Sequence, residues 1–388
     1  MNVLVTGGSL GDVPVIQFLK LNGFRVVTSG NIPSDVGHKY GDEFISCDYT
    51  DVLGLVELCE KVKAVAIISS SHDLAAIAAS KVADILGLPG YDHPKVSELI
   101  HNKDLLRNAL HASEIQQPQY WIMSSERNLD LFETTDFPLI VKPVDLTGGN
   151  GISVCLNLYE LKRSFLKAQE ISPSGKVIIE SFLKGTYHGV TSIIENGNVV
   201  WSFCDNEFFL YDRFRVSATT YPSSLNGEQV KSVEESLSKF ATLYRLVDGL
   251  LHAQILVSGQ NIFVLEICRR TPGDLYPYFV AMAFNSYYID AILSPFLGRK
   301  LPKPDRQFSV STNSFARFML MPNRRGVFEG VSNRFESDFF SVFPVVRENS
   351  FIEHPRKSTL AIYFLEQAST ITEALLVKMK ENITPRIT

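Results

Sequence analysis

Paired cysteines are missing from this chain. Its five cysteines stand at positions 47, 59, 155, 204 and 268, with no Cys-x-x-Cys pair among them. That scatter excludes a disulfide framework or a zinc knuckle and fits a reducing, cytoplasmic setting. An excess of basic charge is lacking too. Lys and Arg number 37 against 42 Asp and Glu, for a net charge of −5, so there is no polybasic footprint for nucleic acid. No apolar run reaches the roughly 18 residues of a membrane helix. The opening, Met1-Asn-Val-Leu-Val-Thr-Gly-Gly, has no basic n-region, so neither a span nor a signal peptide is expected. No Gly-x-x-x-x-Gly-Lys-Ser/Thr occurs, which removes the Walker loop. Internal repeats and low-complexity tracts are absent as well.

What is present is an ordinary globular composition, 45% hydrophobic and 20% charged over 388 residues, enough for two or three subdomains with ample core. Val3, Leu4 and Val5 read as a buried strand. Gly7, Gly8 and Gly11 follow at a turn into a helix over residues 15–21, and a second strand covers residues 25–28. This βαβ opening predicts a doubly wound parallel sheet. A dinucleotide site would want an acid where Ser29-Gly-Asn31 stands, so these glycines argue only weakly for NAD. Further strands are expected at residues 44–47 and 64–68. His72 and Asp73 then open an amphipathic helix to Leu86, with Asp73 or a preceding serine as its cap. His72 sits at the C-terminal edge of a strand, where such sheets bind ligands; a plain turn histidine is the alternative.

The middle of the chain is organised around Phe137-Pro-Leu-Ile-Val-Lys-Pro-Val-Asp-Leu-Thr-Gly-Gly-Asn-Gly-Ile-Ser153. A short apolar run delivers Lys142, Gly148, Gly149 and Gly151 make a loop with almost no bulk, and an extended pattern resumes at Ile152. The pattern predicts a β-hairpin whose tip exposes backbone amides beside a fixed cation, which suits phosphate. Read alone, it is equally an ordinary glycine-rich hairpin. A second hairpin is expected between residues 252–257 and 262–268, turned by Ser258-Gly-Gln-Asn261. There Gln254 and Glu266 face one side of adjacent strands, and Arg269 and Arg270 follow. An amide oxygen and a carboxylate beside an arginine are hard ligands plus an anion clamp, as Mg²⁺-nucleotide chemistry requires. Past the Gly298-Arg-Lys-Leu-Pro-Lys-Pro-Asp305 linker, a small β-rich unit is expected at residues 308–321, 340–346 and 360–364, with a helix over residues 371–380.

Taken in order, these elements resemble the ATP-grasp superfamily over nearly the whole chain. Asn102-Lys-Asp resembles the start of its central domain, and the Lys142 run with its glycine loop its nucleotide lid. Val177-Ile-Ile-Glu-Ser-Phe-Leu-Lys-Gly185 is similar to its adenine hinge, and Gly249-Leu-Leu-His-Ala-Gln254 with Leu265-Glu-Ile-Cys-Arg-Arg-Thr-Pro-Gly273 to its metal and phosphate strands. The resemblance implies an α/β fold with an α+β centre. A Rossmann-like domain would span residues 1–100, a central domain 101–298 (lid about 120–182, catalytic part 183–298), and a β-rich subdomain 299–388.

The resemblance also implies roles. Lys103 and Lys142 would hold ATP phosphates under the loop carrying Gly148, Gly149 and Gly151. Glu180 would meet the adenine amino group, with the backbone of Phe182 and Leu183 completing its hydrogen bonds. Glu266 and Gln254 would bind Mg²⁺, or Mn²⁺ in its place, and Arg270 would stabilise the transferring phosphoryl group. Members usually place glutamate two residues after the hinge glycine. Here that position is Tyr187, and His188 beside it is the nucleotide-binding candidate. The second metal strand reads Glu266-Ile-Cys268, and a thiol is a poor magnesium ligand.

By the same resemblance, the expected activity is ATP-dependent ligation of a small-molecule carboxylate to an amine through an acylphosphate, of amino-acid or peptide type, with ADP released. The partners would be those two substrates, without nucleic acid or membrane, and a homodimer is compatible with them. A bicarbonate-using carboxylase-like enzyme is one alternative, although no Met-Lys-Met biotin-attachment segment is present. A nucleotide-binding protein with impaired catalysis is the other, motivated by Gln254 and Cys268.

Overall fold

The structure is a computed structural model that describes residues 1–69, 71–134, 137–146, 149–284, 287–303, 313–336, 339–355 and 358–388. Four strands, β1 (Asn2–Thr6), β2 (Arg25–Ser29), β3 (Glu43–Phe44) and β4 (Ala64–Ser69), form a parallel sheet in the order β3-β2-β1-β4. Helices α1 (Val13–Leu21) and α2 (Val52–Val62) lie between them and α3 (Asp73–Leu86) follows β4. The strands are apolar on both faces because both are covered. Leu4, Val27 and Ile67 pack with Leu55, Leu58, Ala79 and Val82 of α2 and α3. Val3, Val5, Val26 and Ile68 face the other way, into a core shared with later parts of the chain. The expected strand at residues 44–47 is only the two-residue β3, since Ile45 and Cys47 instead pack at the margin of the α2–α3 core.

Helices α4 (Pro94–His101) and α5 (Lys103–Ala112) lead to a second sheet of β5 (Tyr120–Met123), β6 (Leu139–Pro143), β7 (Ser153–Cys155) and β8 (Val177–Ser181), ordered β5-β8-β6-β7. Helix α6 (Leu158–Ile171) covers it, burying Leu161, Phe165 and Ala168 against Val141 and Ile179. The glycine-loop hairpin forms as the pattern predicts, with Leu139 opposite Cys155 and Val141 opposite Ser153. Thr147 and Gly148 of its tip lie outside the described residues, as do Ser70 and residues 304–312 around the linker.

The third sheet is the scaffold of the molecule. Strands β9 (Thr186–Glu195), β10 (Asn198–Phe208), β11 (Ala218–Tyr221), β12 (Gly249–Ser258) and β13 (Asn261–Cys268) alternate with helices α7 (Gly227–Leu243), α8 (Tyr276–Phe284) and α9 (Tyr287–Leu293). After them come β14 (Ser314–Leu320), β15 (Gly326–Asn333), β16 (Phe339–Pro344), β17 (Ser350–Ile352), β18 (Ala361–Gln367), α10 (Glu373–Asn382) and β19 (Ile383–Ile387). Eight of these strands make one antiparallel sheet ordered β13-β12-β9-β10-β11-β14-β18-β16. The C-terminal strands β14, β16 and β18 therefore extend the central sheet, and only β15, β17 and β19 form a small sheet of their own. Ala218 pairs with Phe318 at the junction, so the ladder runs on past β11 without an edge.

Helices α8 and α9 are nearly all apolar. They fill the space between the first and third sheets, where Phe279, Tyr288 and Ile292 meet Val3, Ile68, Ile193 and Phe315. This shared core fixes the C-terminal edge of the first sheet against the strands that carry Gln254 and Glu266. Among the described residues no helix is long and apolar enough to cross a membrane.

Candidate active site

A cleft of about 1000 Å³ is lined by strands of the second and third sheets and by the turn from β4 into α3. Lys103 comes from the first turn of α5, Lys142 from β6 and Glu180 from β8; Gln254 and Glu266 come from β12 and β13, and Arg270 from the turn after them. Gly149, Phe182 and Leu183 also line it. Two sequence candidates are not brought there. His188 is buried with its ring nitrogens on the Thr186 and Ser223 hydroxyls, at 2.8 and 3.2 Å, while its neighbour Tyr187 takes the place on the cleft wall. Strand alternation turns adjacent residues to opposite faces, so only one of the two can look inward. Gly151 does not line the cleft although its neighbours Asn150 and Ile152 do, and a Cβ on it would meet Pro143 and Ile171. Gly148 lies outside the described residues.

Glu180 sits at the centre of a buried charge cluster. Its carboxylate accepts from Arg107 Nε and Lys142 Nζ, each at 2.5 Å, and both Arg107 and Glu180 side chains are 3% exposed. Arg107 also donates to the carbonyls of Val264 and Leu265 at 3.1 and 2.8 Å, tying α5 and β8 to β13. Burial alone would raise the Glu180 carboxyl, but the charges and hydrogen bonds of Arg107 and Lys142 outweigh it and bring it down to about 2. Arg107 was not a sequence candidate. The available signal was its place four residues after Lys103, on one face of the same helix.

The sign of that shift yields a testable stability difference. A depressed carboxyl stabilises the fold above its ordinary value near 4.5 and loses that contribution as pH falls toward about 2. Glu180→Gln leaves the buried Arg107 cation and the half-buried Lys142 cation facing each other and is expected to lower stability at pH 7 by about 3 kcal/mol. Urea unfolding of both proteins from pH 7 to 3 checks this. The gap should hold down to about 4.5 and narrow below it.

The residues around the glycine loop and the hinge are held by longer-range ties. Lys103 Nζ donates to the Leu146 carbonyl at 2.5 Å, anchoring the start of the glycine loop. The Phe182 amide donates to the Pro138 carbonyl at 3.1 Å, so of its backbone groups the carbonyl is left for a ligand. At Gly185 a Cβ would meet the Val257 carbonyl oxygen at 2.1 Å, so the hinge passes β12 too closely for any side chain.

Asp73 does not cap α3; it is the first residue of that helix, and His72 occupies the cap position. Its carboxylate accepts from Arg270 Nε at 2.6 Å and from His101 Nδ1 at 3.1 Å. Burial would raise this carboxyl, but the Arg270 charge and the His101 contact hold it well below the usual carboxylate range. The first sheet thereby orients the arginine of the third. Arg269, one residue earlier, turns inward to Asp92 at 2.8 Å and to the Val247 carbonyl at 2.6 Å. His72 lines the cleft rim, stacked on Tyr49 with ring centroids 5.4 Å apart.

Gln254 and Glu266 face the same side of β12 and β13, and a β-bulge between Gln254 and Ile255 brings them directly opposite. The Glu266 carboxylate is exposed in the cleft. Gln254 Nε2 donates to Glu207 of β10 at 2.5 Å. Burial pushes Glu207 up to about 7 even though Gln254 and Arg317 pull it down. Cys268 is buried, its thiol donates to the Arg270 carbonyl, and burial pushes it up to about 12. A protonated thiol is no ligand for a hard cation, so the donor set that fits Mg²⁺ is the Glu266 carboxylate with the Gln254 amide oxygen.

A family profile described as an ATP-grasp domain matches residues 135–276. The solved L-amino acid ligase from Bacillus licheniformis is similar in structure with a TM-score of 0.82 at 15% identity, covering 100% of this chain and 98% of that one. The biotin carboxylase domain of the Hydrogenobacter thermophilus 2-oxoglutarate carboxylase, solved with MgADP, ADP and bicarbonate, gives 0.79 at 16% identity, covering 100% and 90%. In sequence the chain is similar to the carbamoyl phosphate synthase large chain of Thermotoga petrophila, 22% identical over 289 residues, which is 72% of this chain and 26% of that protein. The chain thus spans about a quarter of the length of the curated relatives it matches. Residues 135–276 are an ATP-grasp domain, set within a chain that has the ATP-grasp fold from its parallel first sheet to its last strands.

Proposed function

We propose that this chain is an ATP-dependent ligase that phosphorylates a small-molecule carboxylate and couples the acylphosphate to an amine, in an amino-acid or peptide type of ligation. The observation that carries the reading is the convergence of Lys103, Lys142 and Arg270 with Gln254 and Glu266 in one cleft. Phosphoryl transfer needs positioning and charge neutralisation more than a protein nucleophile. On this reading a carboxylate oxygen of the substrate forms a bond to the γ-phosphorus as the bond to ADP breaks. The amine nitrogen then attacks the acyl carbon, inorganic phosphate leaves with the former acyl oxygen, and the amine gives up a proton. Lys103 and Lys142 would hold the phosphates, Arg270 the charge on the transferring group, and Phe182 and Leu183 the adenine edge. Gln254 and Glu266 would hold Mg²⁺, which when bound neutralises phosphate charge. Residues 1–100 would supply one wall, 101–298 the nucleotide site and 299–388 the outer strands.

Mg²⁺-dependent ADP release over a panel of carboxylates and amines, with hydroxylamine as a trap for the acylphosphate, tests the reading. Bicarbonate belongs in the panel, because the relatives include a carbamoyl phosphate synthase large chain and a carboxylase domain solved with bicarbonate. ADP release on bicarbonate alone would favour the carboxylase-like alternative. Nucleotide binding without any ADP release would favour a protein with impaired catalysis. Lys103→Ala and Lys142→Ala are each expected to shrink the thermal shift produced by Mg-ADP while the unliganded protein stays folded. An unchanged shift in both would remove the ATP assignment.

A further inference from the structure

We propose that Glu207 is a positioning residue that turns the amide of Gln254 so that its oxygen faces the metal. The inference rests on the assignment of Gln254 and Glu266 as metal ligands. A glutamine at that place has an ambiguity that a glutamate lacks, since one end of its head donates and only the other can ligate a cation. The structure resolves the ambiguity with a carboxylate. Gln254 Nε2 donates to Glu207 Oε2 at 2.5 Å, which leaves Oε1 for the side where Glu266 stands opposite.

The contact crosses a strand. Gln254 is on β12 and Glu207 on β10, with β9 between them. At neighbouring strand spacings of about 4.8 Å, two long side chains can meet over the middle strand only if nothing stands there. The residue of β9 opposite Gln254 is Gly189, while Tyr187 stands opposite Glu207, so the contact runs diagonally over Gly189, past Tyr187. A Cβ at Gly189 would come within 2.9 Å of the Asp205 carboxylate, so this spot of the sheet is built without a side chain. Asp205, two residues before Glu207 and on the same face, is engaged elsewhere. It accepts from the Tyr276 hydroxyl at 2.5 Å and the Gly189 amide at 3.3 Å. Glu207 is thus the acid that addresses the ligand amide. Together the two side chains set one hard oxygen toward the metal, with a carboxyl group one hydrogen bond behind it. Supporting partners of this kind typically change metal affinity about 10- to 100-fold.

Mn²⁺ affinity with ADP present, read from the free-ion electron paramagnetic resonance signal, tests the idea apart from turnover. Four variants are compared with the wild type: Glu266→Gln, Glu207→Gln, Gln254→Glu and the exchange Glu207→Gln/Gln254→Glu. Glu207→Gln keeps shape but can donate as well as accept, so it no longer dictates which end of Gln254 faces inward. A loss of about 10-fold or more is expected. Gln254→Glu alone sets two carboxylates in contact, which is unfavourable. The exchange restores one donor and one acceptor with the carboxylate toward the metal, and should recover wild-type affinity or exceed it. Wild-type Mn²⁺ affinity in Glu207→Gln would overturn the proposal, as would an exchange variant no tighter than Glu207→Gln. A Glu266→Gln variant that binds Mn²⁺ as well as the wild type would instead show that the metal assignment is misplaced.

Discussion

Glu266→Gln is expected to lower turnover by about 100-fold or more while nucleotide still binds. Glu266 is the one carboxylate of the donor pair, because its partner across the hairpin is the neutral Gln254, and Cys268 is buried and held as a thiol. Magnesium should therefore depend on Glu266 more steeply than in a site with two carboxylates. The substitution keeps the shape of the strand, and Glu266 carries no fold contact comparable to the Arg107–Glu180 pair, so thermal stability should change little. Lys103, Lys142 and the hinge remain to hold ADP, so its thermal shift should persist in part. ADP release against magnesium concentration is the measurement. Wild-type turnover with wild-type magnesium dependence would move the metal site elsewhere.

The second large effect is expected at Arg270. Arg270→Lys keeps the charge but loses the planar fork, and turnover should again fall by about 100-fold or more. The reason lies in the Asp73 contact. Arg270 spends Nε on Asp73 at 2.6 Å and Nη1 on the Thr271 carbonyl at 3.3 Å, which fixes the plane of the guanidinium and leaves Nη2 for the cleft. A lysine has a single ammonium and can satisfy Asp73 or a phosphoryl oxygen, not both in this geometry. Single-turnover hydroxylamine trapping separates the steps. The acylphosphate yield should collapse in Arg270→Lys, while the Mg-ADP thermal shift is largely retained. Arg269→Lys is the contrasting control: Arg269 is tied to Asp92 and the Val247 carbonyl, so its loss should lower the melting temperature instead.

The difference between those two neighbouring arginines marks where sequence reading stops. Both follow the same strand, and the family resemblance singles out Arg270, but no local pattern shows that Arg269 turns inward to Asp92. Glu180 gives the same lesson. Its place on a buried strand was legible, but its partners Arg107 and Lys142 are 73 and 38 residues away, and no local pattern selects them. His188 and Tyr187 are a case of strand phase. The chain shows that one of the pair faces inward, and only the pairing of β9 with β10 and β12 decides that it is Tyr187.

The pieces that sequence alone determined are those carried by residues close together in the chain. Alternating apolar residues around Ser258-Gly-Gln-Asn261 set the hairpin, although the β-bulge at Gln254 and Ile255 that brings Gln254 opposite Glu266 is no part of that pattern. The run ending in Lys142 and its glycines set the lid hairpin, and the βαβ rhythm of the first residues set a parallel sheet. Turn chemistry and side-chain period act over a few residues, so they can be read in order. Tertiary structure alone decided that β14, β16 and β18 join the central sheet, that Asp73 orients Arg270 instead of capping its helix, and that Glu207 reaches Gln254 across Gly189. Each of these depends on which strand comes to lie beside which. That choice is made by the shared core of α8 and α9 and by the desolvation of charges that must then find a partner, forces that act between residues with no relation in the linear chain.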